Sequence, residues 1–230
     1  MQQVHPSAAP LGSGSAVPPA LSLVDSQAAR RGYRSAKRVL DVTLALVLLV
    51  LLLPTACAVA VAVKMDSHGP VLFNHHRLGH GGRTIRCRKF RTMVHAESAE
   101  GLAPHLDAAF SAQYKLVGDP RVTRVGRVLR RLSLDEIPQL LNVIGGSMSL
   151  IGPRPIVVDE AVDKWGERFP SLVQVKPGLS GLWQVSGRSQ LDYEERIRLD
   201  LEYVERCSLG LDLWILLKTV PAVLLMRGAT

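Results

Sequence analysis

The longest uninterrupted apolar segment of the chain runs from Val42 to Val63 without a charged residue. As an α-helix rising about 1.5 Å per residue it would extend roughly 33 Å, enough to cross a hydrocarbon core of about 30 Å. A buried core helix is the alternative, but a domain of this size rarely encloses so long an uncharged helix. The pattern therefore predicts a membrane anchor helix over residues 32–64.

Pro54 lies in the middle of this apolar run, where a proline removes a main-chain hydrogen bond and bends a helix. Basic residues flank both ends, including Lys37 and Arg38 before the run and Lys64 and Arg77 after it. Because cationic flanks favour the cytoplasmic side of a membrane, the charges mark neither end as translocated. A re-entrant helix kinked at Pro54 satisfies both flanks, and a simple span stays open as the alternative.

The residues before the anchor, 1–31, are rich in Ala, Ser, Pro and Gly. Such a segment buries too little apolar area to offset the chain entropy lost on ordering. We expect a disordered tail over residues 1–31 and a single folded domain over residues 65–230.

Two short strand patterns follow the anchor, Val71 to His76 and Thr84 to Phe90, with a glycine-rich turn between them. This arrangement predicts a β-hairpin. The hairpin histidines His75, His76 and His80 could bind a metal, but the sequence offers no matching ligand cluster and a solvated hairpin is the better interpretation. With the helical patterns elsewhere, the fold class predicted is α+β, mainly helical.

Arginines recur every three or four residues after the hairpin, between valines and leucines. They are Arg121, Arg124, Arg127, Arg130 and Arg131. On a helix this spacing separates a cationic stripe from an apolar one, which is typical of a helix lying at a lipid interface. An ordinary solvated helix face is the alternative. The apolar C-terminal segment Leu209 to Met226 is interrupted by two charges and a proline, which favours an interfacial or bundle-packed helix over a span.

A formal net charge of +8 predicts an affinity for polyanions such as nucleic acid, an anionic bilayer or a phosphorylated substrate. Charge alone does not choose among them. The three cysteines are odd in number and form no CxxC pair, so a disulfide framework or thiolate zinc site is not indicated. A location facing the reducing cytoplasm fits this usage.

Two adjacent carboxylates, Asp135 and Glu136, stand in a segment that has the form of a helix capping box, Ser133-Leu-Asp-Glu136. Capping is therefore the simplest interpretation of the pair. However, Ser133 as N-cap would place Pro138 at the fifth helical position, where a proline is costly. A helix that begins at Asp135 avoids this and leaves both acids at its positive end.

Phosphate chemistry suits such a pair. Mg²⁺ takes one or two carboxylates together with phosphate oxygens, and a carboxylate can also attack phosphorus. Downstream, prolines on both sides hold Arg154 in extended backbone, ready to meet a phosphate. Lys176 and Arg188 are further candidate anion partners, and Trp183 between them suits core packing and ligand stacking equally.

Eight features occur in one order along the chain. They are Lys37-Arg-Val-Leu-Asp41, the apolar run with its proline, Lys89-Phe-Arg-Thr-Met93, Asp119-Pro-Arg121, Ser133-Leu-Asp-Glu-Ile-Pro-Gln139, Gly152-Pro-Arg-Pro155, Lys176-Pro-Gly178 and Trp183-Gln-Val-Ser-Gly-Arg188. In this order the chain resembles the bacterial sugar transferases that start glycan assembly, the monotopic phosphoglycosyl transferases or polyprenyl-phosphate hexose-1-phosphate transferases. The resemblance covers about Lys37 to Lys218.

The resemblance implies that a hexose 1-phosphate passes from a UDP-sugar to undecaprenyl phosphate at the cytoplasmic face of the bacterial inner membrane, releasing UMP. It implies that Asp135 is the nucleophile and holds a covalent phosphosugar, and that Glu136, with Asp135 beside it, binds Mg²⁺. It makes Arg154 the phosphate-facing arginine. Weaker phosphate-binding candidates are Lys89, Arg91, Arg121, Lys176 and Arg188. The helix with Pro54 would be the re-entrant anchor.

Two departures and several alternatives accompany this resemblance. Larger members carry additional transmembrane helices before the anchor, so the match is to the compact exopolysaccharide-initiating type, and Gly145-Gly-Ser147 stands where members often have charges. The resemblance does not identify the sugar, and a homodimer is possible but not decided by it. It implies that inner-membrane lipid is a partner and that nucleic acid is not. A membrane-tethered polyanion or nucleic-acid binder and a non-catalytic scaffold are the competing hypotheses.

Overall fold

The computed structural model describes residues 19–94, 119–187 and 190–224. The described part is mainly helical, as predicted, and has two small two-stranded sheets, of which only the hairpin was expected. In chain order the main elements are α1 (Pro19–Asp66), β1 (Leu72–Leu78), β2 (Thr84–Phe90), α2 (Arg124–Leu132), a 3₁₀ turn (Leu134–Gln139), α3 (Leu140–Ile144), β3 (Ser149–Ile151), α4 (Val158–Glu160), α5 (Phe169–Leu172), β4 (Gly178–Ser180), α6 (Leu182–Ser186), α7 (Tyr193–Arg206) and α8 (Leu209–Leu224). Shorter turns occupy His80–Gly82, Ala161–Trp165 and Gly166–Arg168.

Helix α1 begins at Pro19 and not at residue 32, so residues 19–31 of the predicted tail are helical. Proline is well tolerated in the first helical turn, and the alanines, leucines and arginines that follow favour helix. Residues 1–18 of that tail lie outside the described residues. Helix is assigned on both sides of Pro54, and the kink stays a prediction.

The N-terminal end of the apolar segment is fastened to the folded domain. Arg38 donates hydrogen bonds of 2.6 Å to the carbonyls of Val143 and Ile144, the last residues of α3. Asp41 accepts hydrogen bonds from the Ser149 hydroxyl at 2.7 Å and from the Leu150 main chain at 3.1 Å. These contacts satisfy carbonyls at a helix end that would otherwise lack partners.

The C-terminal end of the segment is fastened to the same domain. The guanidinium of Arg91 donates to the carbonyls of Val63, Ser67 and Pro70, and Asp66 accepts a 3.1 Å hydrogen bond from the main chain of Val125. Between these two ends most side chains are exposed at least in part, with Val50 and Leu51 about 70% exposed, although Ala45 and Val59 are buried in the core. The 35 residues from Gly32 to Asp66 are long and apolar enough to cross a membrane. An ordinary core helix would bury this surface, so the exposure favours membrane association.

The predicted β-hairpin is confirmed, with β1 antiparallel to β2 and Leu72 opposite Phe90. Its turn uses Gly81 and Gly82 at φ +68° and +73°, a backbone region that side chains other than glycine rarely adopt. Lys89 lies at the end of β2, where the strand packs against the 3₁₀ turn. The hairpin therefore places a lysine beside the acidic pair.

The capping-box interpretation of Ser133 is wrong. Helix α2 ends at Leu132, and Ser133 terminates it in the left-handed conformation, at φ +57°. The Ser133 side chain makes no capping hydrogen bond. The next turn begins at Leu134, one residue before the predicted start, and is 3₁₀ with Pro138 inside it. The acids therefore occupy the first positions of a tight turn between two helices.

The core has two clusters. The larger one lies between α1, β2, α3, β3 and α6–α8, and the smaller one joins Ile156, Ala161, Trp165, Leu172 and Ile197. Parallel pairing of β3 with β4 sets Ile151 opposite Ser180, and the Gly178 N–H donates a 2.8 Å hydrogen bond to Pro153 O, which holds the loop after β3 against β4. Helix α8 turns Asp212 and Ile215 inward and leaves Leu213, Trp214 and Leu217 exposed, so it is amphipathic as predicted.

Candidate active site

The acidic pair lies in the 3₁₀ turn against the end of β2. Asp135 is buried, with 7% of its surface exposed, whereas Glu136 is half-buried. The Lys89 ammonium is 2.6 Å from Glu136 Oε1 and 3.6 Å from Asp135 Oδ2. One cation thus bridges both carboxylates, with its close hydrogen bond to Glu136.

The two carboxyls differ in acidity. Burial raises the pKa of Asp135, and the Glu136 charge adds to this while Lys89 and Arg130 oppose it. Burial also acts to raise the pKa of Glu136, but the Lys89 charge and hydrogen bond, followed by the Arg154 charge, outweigh it and lower that pKa. These opposite shifts make Asp135 the more basic of the two carboxylates and Glu136 the more acidic.

Helix α2 contributes Arg130 to the site. Its Nε donates a 2.9 Å hydrogen bond to the hydroxyl of the buried Thr92, and its charge acts on Asp135. Of the arginines in the stripe predicted for α2, Arg130 therefore acts on the acidic pair. Val128 on the same helix is exposed, as expected for an interfacial surface.

The loop after β3 contributes Arg154, which is exposed and close enough to lower the pKa of Glu136. Its guanidinium lies 5.9 Å from the ring centre of Trp183. Trp183 is itself buried, so it both packs in the core and supports a cation. Core packing of Trp183 is therefore confirmed, and stacking of this ring on a ligand stays a prediction.

Two arginines that the sequence analysis did not place in a site lie here as well. Arg196 on α7 lies 5.1 Å from the Trp183 ring centre, and Arg77 on β1 lies 3.8 Å from Glu160 Oε2. Each has its pKa lowered, first by burial and then by the Arg154 charge. Because side chains alternate along a strand, Arg77 lies on the same face of β1 as His75, which is only a weak sequence signal for a place in the site. Nothing in the sequence near Arg196 indicated a place in the site.

His75 is not a charged member of this cluster at neutral pH. Its pKa falls to about 4, first through burial and then through Arg77 and Lys89. No group of three or more His, Cys, Asp or Glu side chains suited to a metal occurs among the described residues. The adjacent carboxylates of Asp135 and Glu136 instead fit a partial Mg²⁺ shell that phosphate oxygens and water would complete.

Three other predicted phosphate-binding residues lie away from the acidic pair or have their donors occupied. Arg91 ties the end of α1 to the domain through its carbonyl contacts. Arg121 pairs with Asp119 at 2.8 Å, beside Arg130. Lys176 lies near Arg38 at the other end of α1, where their like charges contribute, after burial, to lowering the pKa of Lys176. Arg188 lies outside the described residues.

Residues 32–226 match the model of the bacterial sugar transferase family, so the chain belongs to that family and the resemblance is confirmed. It is 44% identical over 199 residues to the exopolysaccharide production protein ExoY of Rhizobium meliloti, covering 84% of this chain and 88% of that protein.

Two further relatives have names that state a reaction. A UDP-glucose:undecaprenyl-phosphate glucose-1-phosphate transferase of Caulobacter vibrioides is 44% identical, over 84% of this chain and 71% of that protein. An undecaprenyl-phosphate galactose phosphotransferase of Salmonella typhimurium is 40% identical, over 90% of this chain and 44% of that protein. The chain thus spans less than half the length of the last relative.

Proposed function

We propose that this protein transfers a hexose 1-phosphate from a UDP-sugar to undecaprenyl phosphate and releases UMP, as the first membrane step of exopolysaccharide or other glycan assembly. The observation that carries the proposal is the buried Asp135 beside Glu136, with the Lys89 ammonium 3.6 Å from one and 2.6 Å from the other and with the charges of Arg130 and Arg154 acting on the pair. Membership of the sugar transferase family and the names of the relatives support the substrate classes.

The reaction would proceed in two displacements at the sugar-bearing phosphorus. An Asp135 oxygen attacks the β-phosphorus, an Oδ–P bond forms, and the bond from that phosphorus to the bridging oxygen breaks with UMP as leaving group. A phosphate oxygen of undecaprenyl phosphate then attacks the same phosphorus, and the bond to Asp135 breaks. The product is a lipid-linked diphosphosugar, and Asp135 is restored.

The surrounding cations would stabilise the charge that develops during both displacements. Lys89 and Arg130 lie nearest Asp135, and Arg154 lies on the side of Trp183 and Arg196. Preorganised cations in a partly buried site cost no reorganisation during the reaction. Glu136 and Asp135 would hold Mg²⁺, which, when bound, neutralises part of the diphosphate charge.

We also propose that α1 is re-entrant at Pro54 and that the domain lies on the cytoplasmic face of the inner membrane. The fastening of both ends of the apolar segment to one folded domain supports this, since a domain outside the bilayer then requires both ends on its own side. The exposed face of α8 would rest in the lipid interface. Homodimerisation stays a prediction.

The competing hypothesis of a nucleic-acid binder rests on the net charge of +8. A buried, basic carboxylate beside a lysine has no purpose on a surface that contacts nucleic-acid phosphates. The acidic pair therefore favours the transferase.

Turnover of a panel of UDP-sugars with undecaprenyl phosphate and Mg²⁺, followed by UMP release, tests the activity and identifies the sugar. Asp135→Asn should lower the rate at least about 10³-fold, because an amide cannot form the phosphosugar. Asp192→Asn is the matched control, since Asp192 is exposed and caps α7 through a bond that Asn can also make. Full activity of Asp135→Asn would refute the nucleophile.

The topology is tested with single cysteines at Ser35 and Met65, exposed positions on either side of the apolar run. The exposed Cys57 and the half-buried Cys207 are first replaced by serine. A re-entrant helix keeps both introduced cysteines from an impermeant thiol reagent added to intact spheroplasts, and lysis exposes both. Labelling of one position before lysis means that the helix spans.

A further inference from the structure

Two cations lie against the same glycine at the end of α1 that precedes the apolar segment. A Cβ built on Gly146 would lie 3.4 Å from Nη2 of Arg38 and 3.7 Å from Nζ of Lys176. Arg38 belongs to α1, whereas Lys176 comes two residues before β4. Segments far apart in the sequence thus bring two positive charges together, and we call these two residues the Arg38–Lys176 pair.

The pair has little opposite charge beside it. Within the part of the chain that the structure describes, the half-buried Lys176 ammonium makes no hydrogen bond and no ion pair. Arg38 donates to the carbonyls of Val143 and Ile144, which takes up two of the five N–H groups of a guanidinium. The turn against which both cations lie, Gly145-Gly-Ser147, carries no charge.

The charged groups around the pair are already engaged. Asp41 is an acid whose charge reaches Lys176, but its two oxygens accept hydrogen bonds from Ser149 and Leu150. Lys37 adds a third cation, which lies 3.0 Å from Asp212. Burial lowers the pKa of Lys176, and the charges of Arg38 and Lys37 act in the same direction. An anion bound between Arg38 and Lys176 would remove this repulsion.

The position of the pair along α1 indicates the source of that anion. Arg38 lies four residues before Val42, where the uncharged run begins. This is about 6 Å along a helix, and less in depth if the helix is tilted. The headgroup layer is roughly 5–8 Å thick on each side of the hydrocarbon core. With α1 inserted as proposed, the pair therefore lies among lipid headgroups, beside Val39, which is 68% exposed.

The reacting phosphate of the proposed transferase does not suit this position. Asp135 and Glu136 lie in the turn that precedes α3, whereas Arg38 contacts the last two residues of α3. The length of α3 thus separates the pair from the acidic pair. A phosphate held by Arg38 and Lys176 is therefore not the phosphate that Asp135 would attack.

We propose that Arg38 and Lys176 bind the phosphate of an anionic phospholipid headgroup. A guanidinium supplies directed N–H donors to phosphate oxygens, and an ammonium supplies a compact charge beside them. The proposal rests on the proposed insertion of α1 in the membrane and not on the transferase reaction. A lipid held in this site would fix the depth at which α1 enters the bilayer relative to the folded domain.

Native mass spectrometry of the full-length protein in nonionic detergent measures the affinity for the first bound dioleoyl-phosphatidylglycerol. We expect Lys176→Gln to weaken this affinity about tenfold, because one of two preorganised charges is lost. Lys176→Arg should keep it within about twofold of wild type. Phosphatidylcholine, whose headgroup has no net charge, should bind more weakly and respond to neither substitution.

Thermal unfolding in the same detergent gives a second measurement. Phosphatidylglycerol should raise the unfolding temperature of the wild-type protein, because a ligand of the folded state stabilises it, and should not raise that of Lys176→Gln. Without added lipid, Lys176→Gln should unfold no earlier than wild type, since the lysine has no partner to lose. This second result also checks that the variant is folded.

Lys64→Gln is the matched control. Lys64 is an exposed lysine at the opposite end of the same apolar segment, where its ammonium donates a 3.2 Å hydrogen bond to the carbonyl of Gly69. Its replacement removes the same charge from the protein. We expect it to change the affinity for phosphatidylglycerol less than about twofold.

Equal losses of affinity in Lys64→Gln and Lys176→Gln would overturn the proposal, because general attraction to a basic protein would then explain the binding. Equal stabilisation by inorganic phosphate would overturn the lipid as ligand. A tenfold higher KM for undecaprenyl phosphate in Lys176→Gln would assign the pair to the lipid substrate and overturn the proposal too.

Two further results separate this proposal from the proposed function. Wild-type protein that does not float with phosphatidylcholine vesicles would contradict the insertion of α1 and, with it, the lipid site. Wild-type protein that binds phosphatidylglycerol through Lys176 but releases no UMP would contradict the transferase and support the lipid site.

Discussion

Two buried aspartates in different regions of the molecule differ in how closely their neighbours compensate the buried carboxylate. Asp212, on α8, is 1% exposed and accepts hydrogen bonds from Tyr33 at 2.9 Å, Lys37 at 3.0 Å and Tyr203 at 2.7 Å. These bonds fasten the N-terminal part of α1 to α7 and α8. Three partners within hydrogen-bond distance offset the free-energy cost of removing this carboxylate from water.

Asp135 is nearly as buried but has much weaker compensation. Among the described residues the cation paired with it is Lys89, whose ammonium lies 3.6 Å away and makes its short hydrogen bond to Glu136 instead. Burial consequently raises the pKa of Asp135. A buried carboxylate with few partners has a perturbed pKa, which is typical of reactive sites, whereas a buried carboxylate with a full set of hydrogen bonds is typical of a structural contact.

The largest effect, a loss of stability, is expected from removing the carboxylate of Asp212. Asp212→Ala leaves Lys37, Tyr33 and Tyr203 without their acceptor and should destabilise the protein by about 3 kcal/mol. Thermal unfolding in detergent measures this, and turnover per folded molecule at low temperature should stay near the wild-type value. An unchanged unfolding temperature would mean that this cluster does not hold α1 to the domain.

The next effect comes from removing the bridging cation. Lys89→Met should lower turnover about 10²-fold, as loss of one preorganised charge commonly does. Since Lys89 lowers the pKa of both carboxyls, the acid limb of the pH–rate profile should move to higher pH. Arg168→Met, which removes a surface partner of Glu194, is the control and should leave the profile in place. An unmoved acid limb in Lys89→Met contradicts the bridging role.

The smallest effect is a gain in stability, opposite in sign to the loss expected for Asp212→Ala. Asp135→Asn should stabilise the protein by about 1 kcal/mol at neutral pH, because a neutral amide avoids the burial penalty of the carboxylate. Since burial raises the folded-state pKa of Asp135, wild-type stability is lost as pH rises through that pKa. The gain should therefore be absent below about pH 3.9, the ordinary value, and complete above the raised pKa. A gain independent of pH would contradict this origin.

The elements that depend on local pattern could be predicted from the sequence. Alternation and the glycine turn gave the hairpin, and the uncharged run gave the apolar helix. The argument from Pro138 against Ser133 as a helix N-cap was wrong, because the 3₁₀ turn begins directly after Ser133 and has Pro138 at its fifth position. The left-handed conformation of Ser133 and the 3₁₀ turn itself were not foreseen. Local backbone conformation there is set by how α2 and α3 meet, which a local pattern does not encode.

Contacts between distant segments could not be predicted. Lys176 and Arg154 both looked like phosphate partners, but pairing of β3 with β4 and the position of α1 put Lys176 beside Arg38 and Arg154 beside Trp183. Arg91 likewise has its donors taken by the turn after α1. The sequence shows which residues are cationic, and the folded chain decides which of them already have partners.

The sequence by itself determined the family, the apolar anchor, the hairpin and the acidic pair, since each rests on residues that are neighbours along the chain. The tertiary structure alone decided that the pKa of Asp135 is raised while that of Glu136 is lowered, and that Arg154 and Arg196 both lie over the ring of Trp183. The physical reason is that burial and electrostatic interaction depend on distance in space, and the residues that set them here are far apart in sequence.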